Sequence, residues 1–89
     1  MSDAPDVLIY TRPFCPYCVA AKSLLREKGV GYREIDISQD DARLEEMIRL
    51  SGRRTVPQIF VATEHVGGFD DLAALDQKGR LDPLLGITG

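Results

Sequence analysis

The sequence has 89 residues, 44% hydrophobic and 28% charged, with a formal net charge of −3. That describes one small globular domain, without the basic surplus of a nucleic-acid binder and without an apolar run long enough to span a membrane. Its two cysteines, Cys15 and Cys18, flank a single Pro-Tyr pair; a bridge over so short a loop takes little entropy from the unfolded chain, so the hydrophobic core must suffice to hold the fold.

The opening MSDAPD is short, polar and acidic and lacks the features of a signal peptide. The expectation is a flexible leader over residues 1–6 and a cytoplasmic chain, with one domain over 7–89. Val7–Thr11, VLIYT, is apolar and β-rich and predicts a buried strand. A helix follows from Pro16, a residue suited to the first helical position, with Cys18, Ala21 and Leu25 at helical spacing and Gly29 as its stop. Tyr32–Ile37 alternates and predicts a second strand. The stretch SQDDARLEEMIRLSG opens on cap-forming and acidic residues, carries a Leu44, Met47, Ile48 stripe and closes at Gly52, so a second helix is predicted. Gln58–Ala62 and Glu64–Gly68 read as two strands joined by a tight turn near Thr63. The segment FDDLAALDQKG predicts a third helix with Leu72 and Leu75 inward, and LDPLLG a last turn packing Leu81, Leu84 and Leu85. The order β-α-β-α-β-β-α implies a parallel crossover followed by an antiparallel hairpin, hence a mixed four-stranded sheet with helices on both faces: an α/β fold.

The chemistry gathers at TRPFCPYCVAAK, where the first strand meets the first helix. If Pro16 is the first helical residue, Cys15 is the N-cap and its sulfur faces the free amides of Tyr17 and Cys18; these donors and the helix dipole favour a thiolate. Arg12 adds positive potential. Cys18 lies one turn inside the helix among apolar neighbours and is expected to remain a thiol, so Cys15 attacks and Cys18 resolves. A close cysteine pair in a reducing compartment is redox-active or metal-binding more readily than structural. Zinc requires about four ligands, and this chain offers two Cys and one His, His65, which disfavours a closed structural site. His65, in a short hairpin strand, is expected at the surface rather than as a ligand or base.

Three motifs in order, CPYC after the first strand, TVPQIF at 55–60 and GGFDDL at 67–72, resemble the dithiol glutaredoxins, close to the small bacterial type, over roughly residues 6 to 86. The resemblance implies a thioredoxin-like fold, in agreement with the element order. It also implies a cis Val56–Pro57 bond beside the active site, with the backbone of Val56 free to pair with the cysteinyl unit of glutathione in a strand-like mode. Gly67 and Gly68 permit a tight, positive-φ bend, and the amides around Phe69 and Asp70 at the next helix start form an anion site for the γ-glutamyl carboxylate. Asp70 is implied as partner of the adjacent α-amino group, while Asp71 is left to complement the helix dipole. Arg12 stands where the family usually has lysine, for the glycine carboxylate; Arg53 and Arg54 add charge immediately before Thr55, and Tyr17 walls the ligand. Phe14 and Arg49 receive no role.

The implied activity is glutathione-dependent thiol–disulfide exchange on protein disulfides and glutathionylated proteins. It needs no tightly bound cofactor or metal, with glutathione as reducing co-substrate and a monomer sufficing. Two rivals stand beside it: a redoxin served by thioredoxin reductase, which would lack a full glutathione groove, and an iron–sulfur cluster carrier, against which Pro16 counts.

Overall fold

The centre of the fold follows from a strand whose two faces are both apolar. In β1 (Val7–Thr11) Val7 and Ile9 face one layer while Leu8 and Tyr10 face the other, as the two-residue period of a strand requires. The computed structural model describes residues 5–87, so the expected leader falls mostly outside the described residues. β1 pairs in parallel with β2 (Arg33–Asp36) and antiparallel with β3 (Gln58–Val61), which pairs with β4 (Glu64–Gly67). The sheet order is β2-β1-β3-β4, the mixed four-stranded arrangement anticipated from the element order.

Helices cover both faces. α1 (Pro16–Glu27), α3 (Phe69–Gln77) and α4 (Leu81–Leu84) enclose the larger core, where Ala21, Leu25, Leu72 and Leu81 meet Ile9 and Ile59. α2 (Asp41–Ser51) covers the opposite face, where Met47 meets Tyr10, Ile37 and Phe60. Asp40 caps α2 by accepting the Arg43 amide at 3.1 Å. Tyr10, fully buried, donates its hydroxyl to Glu46 Oε1 at 2.9 Å.

Strand boundaries differ from the sequence reading, and β4 ends at Gly67 rather than Gly68. β2 is shorter by one residue at each end; it is an edge strand, and only Ile35 of its four residues is partly covered. β3 stops at Val61 because Ala62 and Thr63 take positive φ values of 50° and 70°, the geometry of a two-residue hairpin turn. The last turn is a short helix, α4, held by Leu85 N–H to Leu81 O at 2.9 Å.

Candidate active site

Cys15 is the N-cap of α1, with Pro16 first in the helix and extended backbone at φ −109° and ψ 107°. Its sulfur accepts the Cys18 amide at 3.2 Å; of the two amides anticipated, this is the one that bonds. Phe14, immediately before it, is fully exposed and takes a positive φ of 59°. That left-handed step turns the chain from the end of β1 into the cap, a conformation costly for a bulky residue. Cys15 is partly exposed and its Sγ lies 4.0 Å from Val56 O across the loop. Cys18 is 1% exposed. Burial, and next its hydrogen bond with Cys15, push the Cys18 thiol up to about 12, while the Arg12 amide and the Lys22 charge pull weakly the other way. One sulfur is therefore reachable and amide-supported; the other is a neutral thiol behind it.

Beside the sulfur lies a groove of about 250 Å³. Thr55, Val56 and Pro57 line one wall, and the Val56–Pro57 bond is cis. Gly68, Phe69 and Asp70 line another, with Asp70 exposed at the second position of α3. The Tyr17 ring closes an end, 6.4 Å from the Phe69 ring. The structure thus gathers seven of the anticipated ligand-contact residues around one cavity.

Arg12 is not among the lining residues. It is exposed at the end of β1, where its charge reaches Asp36. Arg54 is likewise exposed and outside the lining, whereas Arg53 forms part of it.

Asp71 does more than complement a dipole. Its Oδ2 accepts the Gly68 amide at 2.9 Å and Arg53 Nη1 at 2.9 Å, so it caps α3 from the third position and ties the loop before Thr55 to the helix. Arg53, and then the Gly68 amide, hold its carboxyl below the usual range. The two glycines also divide. Gly67 takes a φ of 119°, and a Cβ there would run into the Asp71 carboxylate; Gly68 is extended at φ −89° and ψ −168° and needs no glycine-only conformation.

His65 is half-buried rather than on the surface. Its ring stacks at a tilt on Phe60 with centroids 5.0 Å apart, and Nε2 lies 2.7 Å from Gln58 Oε1. Burial, with the Arg53 charge second, holds His65 below its ordinary value. Gln58, fully buried, donates Nε2 to Thr55 O at 3.0 Å and to Thr55 Oγ1 at 3.2 Å. Sequence reasoning assigned Gln58 no role; the available signal was a polar residue placed directly after Pro57 at the head of an otherwise apolar strand.

Comparison with known proteins gives the same answer from three directions. The family model described as Glutaredoxin matches residues 7–66. Glutaredoxin 3 of Escherichia coli (strain K12) is 58% identical over 80 residues, spanning 90% of this chain and 96% of that protein. Glutaredoxin of Pseudomonas aeruginosa is 49% identical over 81 residues, spanning 91% and 96%. Among solved structures, glutaredoxin from Brucella melitensis superposes with a TM-score of 0.83 at 54% identity, covering 94% of this chain and 91% of the other. The buckwheat glutaredoxin–glutathione complex superposes with a TM-score of 0.85 at 29% identity, covering 92% and 77%.

Proposed function

The chain belongs to the glutaredoxin family and is a thiol–disulfide oxidoreductase, and on that premise we propose that it draws its electrons from glutathione through Cys15 and Cys18. The observation that carries this reading is the groove beside Cys15, where the residues that would grip a tripeptide line one cavity of about 250 Å³.

With a glutathionylated protein, Cys15 thiolate attacks the glutathione sulfur and the protein thiolate leaves. A second glutathione thiolate then attacks that sulfur, releases glutathione disulfide and regenerates Cys15. With a protein disulfide, Cys15 takes one sulfur and the other leaves as thiolate. Cys18 next gives up its proton and displaces the bound protein, forming the Cys15–Cys18 bridge. Two glutathiones reduce that bridge.

The ligand lies extended across the groove. The backbone of Val56 pairs with its cysteinyl unit, the Phe69 and Asp70 amides receive the γ-glutamyl carboxylate, and the Asp70 carboxylate faces the α-amino group. Gly68 lets the ligand approach closely, Thr55 and Pro57 shape the wall, and Tyr17 covers the sulfur. Arg12, exposed just before the Cys15 turn, supplies charge for the glycine carboxylate from outside the groove wall. The substrates are disulfide-bonded and glutathionylated proteins, met by a monomer in the reducing cytoplasm, and the protein domain spans residues 7–89.

Two coupled assays test this, one supplying glutathione and glutathione reductase, the other thioredoxin reductase, with a glutathionylated peptide as substrate. Turnover with glutathione, lost in Cys15→Ser, is expected. Turnover with thioredoxin reductase alone would overturn glutathione dependence while leaving the dithiol chemistry standing.

A further inference from the structure

The loop that carries Val56 and Pro57 has no regular secondary structure, running from the end of α2 at Gly52 to the start of β3. Something must fix the peptide planes that a substrate backbone would read. We propose that Gln58 and His65 are positioning residues that set the Thr55–Val56 backbone through a chain of hydrogen bonds from β4 to the groove.

The chain has one consistent direction. Gln58 faces the Thr55 carbonyl, an acceptor, at 3.0 Å, so its amide nitrogen must point there. Its oxygen then faces His65 Nε2 at 2.7 Å, and that nitrogen must carry a proton. His65 therefore fixes which way the Gln58 amide is turned, and Gln58 fixes the carbonyl of the residue before Val56. Both anchors stand on the sheet: Gln58 is 0% exposed and paired with Tyr10 of β1, and His65 opposes Phe60 across the hairpin. Beyond the loop, the Val56 carbonyl oxygen lies 4.0 Å from the Cys15 sulfur.

An unanchored Thr55 peptide rotates freely at little cost, because Thr55 itself is exposed and water can replace the lost partners. Ground-state stability then changes less than the geometry of Val56. The consequence falls on docking of the ligand backbone rather than on the sulfur.

This inference rests on the reading that glutathione docks against Val56, and the experiment separates the two. One peptide is prepared as its mixed disulfide with glutathione and, separately, with 2-mercaptoethanol. Wild-type protein is compared with Gln58→Met, which keeps volume without polar atoms, with His65→Phe, which keeps the ring on Phe60 without the N–H, and with the double variant. Gln58→Met is expected to raise KM for the glutathionylated peptide about tenfold, equivalent to roughly 1.4 kcal/mol. His65→Phe raises it about threefold, and the double variant matches Gln58→Met because the two act in series. In each variant kcat and the rate of Cys15 alkylation by iodoacetamide stay within about twofold of wild type. A wild-type KM in His65→Phe overturns the proposal by itself, even if Gln58→Met does not fold. Additive effects in the double variant overturn the serial chain. Equal wild-type preference for the two mixed disulfides overturns the docking reading and takes this inference with it, whereas a strong preference retained unchanged in the variants overturns this inference alone.

Discussion

Brief exposure of the reduced protein to iodoacetamide at pH 7 should label Cys15 and leave Cys18 untouched. The reagent consumes thiolates. Burial and the Cys15 hydrogen bond push Cys18 from 9.0 to about 12, three decades less thiolate, so its labelling is about a thousandfold slower than that of an unstructured cysteine. Its 1% exposure slows it further. The assay is quenching in acid at timed intervals, digestion, and mass spectrometry of the peptide holding both residues. Because the pair shares one peptide, fragment ions distinguish the sites. The Cys18 rate should climb about tenfold per pH unit between 9 and 11 and match that of a free thiol in denaturant. The same shift carries a stability consequence. The folded state holds a proton that the unfolded state releases, so the contribution is complete below the ordinary 9.0 and is lost as pH rises towards about 12. A native Cys18 rate within about tenfold of the unstructured value would refute the assignment of an inaccessible, neutral resolving thiol.

Replacing Cys18 with serine should preserve reduction of glutathione mixed disulfides and abolish reduction of protein disulfides, read as paired turnover rates; loss of both would reverse the roles assigned to the two sulfurs. If Asp70 holds the α-amino group as proposed, Asp70→Ala should raise KM for glutathionylated substrate by about tenfold with little change in kcat. Gly67→Ala places a side chain against the Asp71 carboxylate at a φ of 119°, and should lower unfolding free energy by about 1–3 kcal/mol in a denaturant titration. Tyr10→Phe removes the 2.9 Å bond to Glu46 and should cost about 1–2 kcal/mol at pH 7. Burial, with Glu46 second, pushes Tyr10 from 10.0 up to about 12, so wild type loses this contribution as pH rises through that interval, and the gap in melting temperature from the Phe variant should narrow there.

The fold was legible because its signals are local and agree with one another. A β-rich apolar run marked β1, Pro16 and Gly29 bracketed α1, and a cluster of cap-forming residues with Gly52 bracketed α2. The Cys15 cap was legible for the same reason: a cysteine directly before an N1 proline leaves its sulfur few other places to go. What escaped was set by tertiary neighbours. Asp71 looks like any acidic residue in a first helical turn until Arg53, 18 positions earlier, is folded against it. His65 reads as a surface strand residue because nothing local indicates that Phe60 and Gln58 cover it from across the hairpin.

β4 ends at Gly67 and α3 begins at Phe69, so a lone residue carries the polypeptide from sheet to helix. That junction has no slack. A peptide grafted there would have to pull α3 away from the sheet or buckle β4, and either movement dismantles the wall opposite Val56. Engineered insertions, fusion tags and new chain ends belong instead beside the exposed Gly31, an α1 length of ~18 Å from the reactive sulfur, where a side chain would meet open space.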